Sequence, residues 1–322
     1  MFYILTASSD TYITNKIIDN KFRATDGNVG RAGTLDLFKL FDESSFISAS
    51  NRVTSSVDEL SRILIKFDYD EVAKLTSSSL DMNHPSFNVK LELFEAVLGA
   101  PVPKDFAIVA YPLSRSWQEG SGRNIGNFAD VDAANFFTAS YGTDGVQLWN
   151  TSGSAARGFM GDDGIDYMIS GTVGSEVLDF GSTQFFDEGP GKLSLDVTKV
   201  VSASIANILQ NHGFRISYSG SYENDRKTRF AKRFASRHAR DVTVNPRLVF
   251  TWDNSIQDKH RGLLFNVSSS LFLRNFTSGR PADLVSGSSL TKLRGQDCIL
   301  LRFVSASGDT THESSIYVTA SQ

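Results

Sequence analysis

The stretch from Asp10 to Leu40, DTYITNKIIDNKFRATDGNVGRAGTLDLFKL, constrains the fold more than any other part of the chain. Thr11-Tyr12-Ile13-Thr14 has the β-branched and aromatic make-up that suits a pleated, half-buried surface. A polar segment follows with Asp26-Gly27 and Asn28-Val29-Gly30, where glycine permits the positive backbone angles of tight turns. Residues Thr34 to Leu40 then resume an extended apolar pattern. Strand, long glycine-bearing connection, strand is the opening of a β-sandwich rather than of a catalytic motif.

The same logic extends along the chain. Arg62 to Asp68 reads as a core strand, and Asn88 to Val97 alternates well, with Val89, Leu91 and Leu93 on one face and Lys90 and Glu92 on the other. Asp105 to Pro112, Lys192 to Val201, Gly213 to Ser219 and Pro246 to Trp252 are expected to be extended too. Short helices are expected at Val57 to Ser61 and Val131 to Ser140. Between Gly120 and Gly191, Asp144-Gly145, Gly161-Asp162-Asp163-Gly164 and Glu188-Gly189-Pro190 signal loops, because Gly and Asp tolerate left-handed backbone and form local turns.

The expected class is therefore all-β, with a sandwich over residues 1–252 and a second, smaller β-rich domain over 253–322. In the latter, strands are expected at Gly262 to Val267, Leu271 to Phe276, Cys298 to Val304 and Ser315 to Thr319. A unit of about 70 residues buries only about 60% of its extended-chain surface. It is expected to need a neighbour, and its strand-like last residues suggest that it is incomplete.

Size and charge narrow the function classes. The 24 phenylalanines suit sheet cores, where rigid aromatic area packs well. A net charge of −4 is too small for a general attraction to nucleic acid or an anionic membrane. A single cysteine, Cys298, excludes an intramolecular disulfide and a cysteine-cluster metal site. The first residues lack the basic n-region of a secretory signal, and no apolar stretch approaches the roughly 20 residues that span a bilayer. No membrane partner is expected.

The densest charged feature is Arg226 to Arg240, RKTRFAKRFASRHAR, with seven Lys/Arg in 15 residues. As a strand it would place Phe230, Lys232, Phe234 and Ser236 on one face and Arg229, Arg233 and Arg237 on the other. Arg226, Arg229, Arg233, Arg237 and Arg240 are thus candidates for docking a partner. The plainer alternative is a solvated face paired with local carboxylates, where each exposed pair contributes only about 0–1 kcal/mol. Aromatic residues beneath the arginines, rather than among them, argue against nucleic acid.

Asp162, Asp163 and Asp166 could offer calcium its oxygen ligands, but the spacing is not that of an EF-hand and a solvated acidic turn is the simpler account. The five histidines never fall at metal-ligand spacing. Gly120 to Gly126 misses the dinucleotide fingerprint and follows no βαβ unit. No catalytic residue, cofactor or metal is expected. Trp117 and Trp149 could stack on sugar rings, although tryptophan more often anchors a core.

Taken in order, DTYIT, Asn28-Val29-Gly30, Leu35/Leu37, Arg62 to Asp68, Leu91/Leu93, Ser116 to Glu119, Leu148-Trp149-Asn150, Leu193 to Thr198, Asn211 to Phe214 and Pro246 to Val249 resemble the jelly-roll β-sandwich of disaggregatase-related (DNRLRE) modules. The segments ASSDTYITNKIIDNKFRATDGNVGRAGTLDLFKLFDES, ELSRILIKFD and RFAKRFASRHA resemble virion structural proteins of tailed bacteriophages of marine bacteria and cyanobacteria. That resemblance implies a non-enzymatic particle component assembled in the host cytoplasm, with other virion subunits and copies of itself as partners. It also implies a chain that continues past Gln322. The alternative is a carbohydrate-binding sandwich that takes a host surface glycan.

Overall fold

The computed structural model describes residues 2–19, 21–42, 46–48, 51–53, 57–76, 80–96, 103–252, 256–258, 273–277, 280–286, 291–304 and 315–321. The chain divides into two compact units. One comprises residues 2–83 and 87–251, and the other residues 1, 84–86 and 252–322.

The first unit is all-β. Besides two small hairpins, Ile17–Ile18 with Phe22–Arg23 and Phe46–Ser48 with Asn51–Val53, its strands are β1 (Phe2–Thr6), β2 (Ser9–Thr14), β3 (Thr34–Asp42), β4 (Val57–Lys66), β5 (Asn88–Leu93), β6 (Phe106–Pro112), β7 (Thr138–Gly142), β8 (Gly145–Leu148), β9 (Arg157–Phe159), β10 (Tyr167–Val173), β11 (Glu176–Asp179), β12 (Ser182–Phe186), β13 (Leu193–Asp196), β14 (Phe214–Tyr218), β15 (Arg229–Ala235) and β16 (Arg247–Thr251). Three short helices interrupt them, α1 (Asp70–Thr76), α2 (Thr198–Ile205) and α3 (Ser221–Asn224).

One sheet runs β1-β16-β5-β13, and the other runs β12-β6-β14-β4-β3-β15, with β2 also paired to β4. Take β1, β4, β5, β6, β12, β13, β14 and β16 as strands one to eight. The sheet orders are then 1-8-3-6 and 2-7-4-5, antiparallel throughout. This is the strand order of a jelly roll, two Greek keys folded over each other. β2, β3 and β15 widen the second sheet, and a bridge between Glu95 and Phe234 curls it toward the first.

Alternation explains the core. Leu5, Leu248, Leu91 and Leu195 stand in register across the first sheet, and the last three are fully buried. Tyr12, Ile63, Ile216 and Ala110 form a matching rung across the second. Burying one such aliphatic side chain is worth about 1.5–3 kcal/mol. The second sheet is buried on its other face too. There Ile13 and Leu64 pack with Leu113, Trp117, Ala134, Ala139 and Trp149 from the long segment between β6 and β12. That segment, expected to be mostly loop, carries β7 to β11. Its Asp144-Gly145 turn signal sits at the tip of the β7–β8 hairpin.

The opening stretch is tied to this cover by Asn28. Its fully buried amide donates to the Glu119 and Ala134 carbonyls (both 2.9 Å) and accepts from the Gly30 (3.1 Å) and Gly122 (2.9 Å) amides. Gly30 is obligatory here because a Cβ would lie 2.0 Å from the Glu119 carbonyl oxygen.

Three local expectations are corrected. Val57 to Ser61 is not helical but the start of β4, held by antiparallel pairing with β3. Val131 to Ser140 is turn and strand, because the Asn135 side chain accepts from the Phe137 and Thr138 amides (2.9 and 2.7 Å) and so competes with helical bonding. Lys192 to Val201 is not one strand. Asp196 accepts from the Thr198 amide (3.0 Å) and turns the chain into α2, which buries Val200, Val201 and Ala203.

In the second unit the described residues form small antiparallel sheets. Leu273–Thr277 pairs with Ile256–Asp258 and Arg280–Pro281, Val285–Ser286 pairs with Thr291–Lys292, and Ile299–Val304 pairs with Ser315–Ala320. The strand expected at Gly262 to Val267 lies outside the described residues. No described helix is long and apolar enough to cross a membrane.

Candidate functional site

The basic segment 226–240 is where sequence reasoning concentrates charge, and its structure begins with a break in the alternation. A register shift between Arg229 and Lys232 interrupts the pairing of β15 with β3. Phe230 is 65% exposed while Phe234 is fully buried, so the two do not share a face as expected.

The arginines do not form one continuous row. Arg229 makes a two-pronged pair with Asp225 (2.6 Å on each prong) and donates to the Tyr222 carbonyl (2.9 Å). Its guanidinium lies 5.2 Å from the Tyr222 ring centre. Lys39, fully buried, donates to the same Asp225, at both its carbonyl and its carboxylate. Hydrogen bonding from Arg229 is the main reason that the Asp225 carboxyl is held down to about 2. Arg233 grips Asp36 (2.5 and 2.6 Å), and Arg237 grips Glu119 (2.6 and 2.5 Å). Arg226 and Arg240 are exposed. Three of the five candidate docking arginines are therefore engaged by carboxylates of their own unit, and an acidic partner would have to displace them.

Lys232 points inward. Its ammonium donates to Glu95 (2.7 Å) and the Gly189 carbonyl (2.8 Å), within 5.0 Å of the Phe186 ring centre and 5.7 Å of Phe234. Burial pushes its pKa below the usual lysine range. Arg62 and Arg215 share Glu223, and Arg215, Lys39 and Lys232 are among the largest fully buried side chains of this unit.

The most unusual titratable group is Asp10, which is 1% exposed. One carboxylate oxygen accepts from the Arg237 amide (2.6 Å), and the other has no hydrogen-bond partner. The Asp10 amide donates to Glu119 (2.8 Å). Burial pushes the Asp10 carboxyl up to about 7; the Arg237 amide opposes the shift and the Glu119 charge adds to it. His238 lies 3.6 Å from Glu119, with its pKa lowered by burial and by Arg237. A raised carboxyl beside a second carboxylate is the pairing that glycoside hydrolysis uses. Here Glu119 is bound by Arg237 and Asp10 is closed off from solvent, so the group acts as a clip joining β2, the covering segment and the end of β15.

The remaining candidates resolve in the same direction. Trp117 and Trp149 are in the core cluster, with their indole N–H groups donating to the carbonyls of His212 and Asn135 (both 2.9 Å). Their faces meet side chains of this unit, which corrects the expectation that they could stack on sugars. Asp166 is turned inward, accepting from the amides of Asn150, Thr151 and Ala156 (2.7, 3.0 and 3.0 Å). Asp162 accepts from the Phe159 amide (2.8 Å). Among the described residues no group of three or more metal-capable side chains converges.

Two features had no short-range signal. The carboxylates that meet Arg233 and Arg237 lie far away in sequence, Asp36 and Glu119 at separations of 197 and 118 residues and Asp10 at 227. The β7–β8 hairpin also exposes an apolar row, Phe137, Tyr141, Val146 and Leu148, with Tyr141 directly opposite Val146. Comparison with protein-family models and with curated proteins finds no match to the chain.

Proposed function

We propose that this chain is a non-enzymatic structural subunit of a tailed-bacteriophage virion, a capsid-decoration, neck or tail component that works through contacts with other virion subunits and with copies of itself. The observation that carries the reading is how the molecule distributes its chemistry. Arg229, Arg233 and Arg237 of the basic segment are bound to carboxylates of their own unit and Asp10 is buried, whereas apolar side chains stand exposed on the β7–β8 hairpin and on β1. Exposed apolar patches of this kind mark association surfaces. A jelly roll with one sheet packed on both faces suits a building block that bears load across such contacts. The segments that resemble phage virion proteins supply the particle, and no host glycan is required.

Electron microscopy of particles lacking the protein tests the proposal. Loss of a density feature, or particles that fall apart under mild heating, is the expected result. Intact, infective and equally heat-resistant particles would overturn it.

A further inference from the structure

The edge of the first sheet carries the inference furthest. β1 is an end strand: it pairs with β16 through the regular register Phe2↔Thr251 to Thr6↔Arg247, and no described strand pairs its other side. Open edges are ordinarily blunted by lysine, proline, a bulge or a cover. The sequence of β1, Phe-Tyr-Ile-Leu-Thr, has no charge and no proline, and its register has no shift. Two of its three outward residues are apolar: Phe2 is 71% exposed and Ile4 43%, with Thr6 the third.

We propose that β1 is a sheet-extension edge whose partner is β1 of a second copy of this chain, paired antiparallel about a two-fold axis through Ile4. The occupant follows from complementarity. A strand of five uncharged residues is self-complementary under a two-fold, which makes the same patch serve both subunits. The register that uses all five residues pairs Phe2 with Thr6 of the other copy and Ile4 with Ile4, so that the exposed apolar side chains meet on one face. The nearest charge on that face, Arg247 on β16, is already held by Glu92 (3.1 Å). Two Arg247 residues would stand three strand spacings of ~4.8 Å apart across the axis and about four residues of ~3.4 Å apart along it. That exceeds the screening length of about 8 Å at physiological salt, so like charges do not oppose the join. Main-chain hydrogen bonds would supply the affinity, as in other strand-addition complexes.

The inference deepens the assembly reading and rests on it for its biological purpose, but its test is separate. In a Cys298→Ser background, Ile4→Cys should cross-link to a covalent dimer under mild oxidation. Directly opposite Cβ atoms lie about 4.5–5.5 Å apart, close to disulfide reach. Phe2→Cys, placed opposite Thr6 rather than itself, should cross-link at least about ten-fold less. In sedimentation equilibrium the wild-type chain should dimerise and Ile4→Lys should weaken the dimer by about ten-fold or more, equivalent to ~1.4 kcal/mol, with an unchanged circular dichroism spectrum and melting temperature. A wild-type chain that stays monomeric, a dimer indifferent to Ile4→Lys, or equal cross-linking through residues 2 and 4 would each overturn the pairing. A dimer held elsewhere would leave the structural-subunit reading intact, and particles that lack the protein without consequence would leave the β1 pairing intact.

Discussion

Individual residues in this protein are decided by what neutralises them. Asp10 has a folded pKa of about 7 against an ordinary value of 3.8. A carboxyl raised in this way contributes stability that is fully present below about pH 4 and is lost as pH rises through 7, because the unfolded chain ionises first. The loss is at most about 4 kcal/mol, since each tenfold change in proton affinity is worth ~1.36 kcal/mol. Asp10→Asn should therefore match the wild type near pH 4 and exceed it above pH 7, and urea unfolding from pH 4 to 8.5 reads that difference directly. A pH-independent difference would contradict the assigned burial. Asp225 is the opposite case, because it serves both Arg229 and the buried Lys39. Asp225→Ala should cost about 3–5 kcal/mol, the range for stranding a buried charge. Arg240→Ala, at an exposed position, should stay within about 0.5 kcal/mol. Thermal melts of the two variants side by side make the comparison.

Among the secondary-structure elements, those with a clean period of two are legible in the sequence and those bounded by side-chain caps are not. Asn88–Leu93 can be read residue by residue because its apolar and charged side chains alternate. Extending the strand Leu193–Asp196 further fails because one carboxylate, Asp196, redirects the chain into α2. The stretch from Gly120 to Gly191 reads as loop because its glycines and aspartates mark turns, and the same residues are equally at home at hairpin tips. The side chain of Asn28 ties the covering segment, residues 113–181, to the opening stretch, beside backbone bonds such as Asp130 to Asp26 and Phe136 to Thr25. Asn28→Ala should leave the part-buried Glu119 carbonyl and the buried Ala134 carbonyl and Gly122 amide without this partner, at a cost on the order of 3 kcal/mol. Because the covering segment would loosen first, hydrogen exchange should rise across β7 and β8 before it rises in β5.

Across the whole molecule, the buried apolar core of the described residues lies in the jelly-roll unit. Apart from Trp252, every buried apolar side chain among the described residues belongs to the unit of residues 2–83 and 87–251. A chain shortened to residues 1–252 should keep its β-rich circular dichroism and a single cooperative melt; a broad, non-cooperative transition would show that the smaller unit is required. The all-β class, most strands of the two main sheets (β1, β12 and the start of β4 excepted) and the absence of familiar catalytic spacings are readable from the sequence, because side-chain alternation and turn chemistry are local properties. The fate of the arginines and tryptophans is not. Whether Arg237 meets a solvent ion or Glu119, and whether Trp149 meets a sugar or Ile13 and Leu64, depends on which distant strands align and which face a 69-residue insertion covers. Those are properties of register and layering, set only when segments more than a hundred residues apart come together.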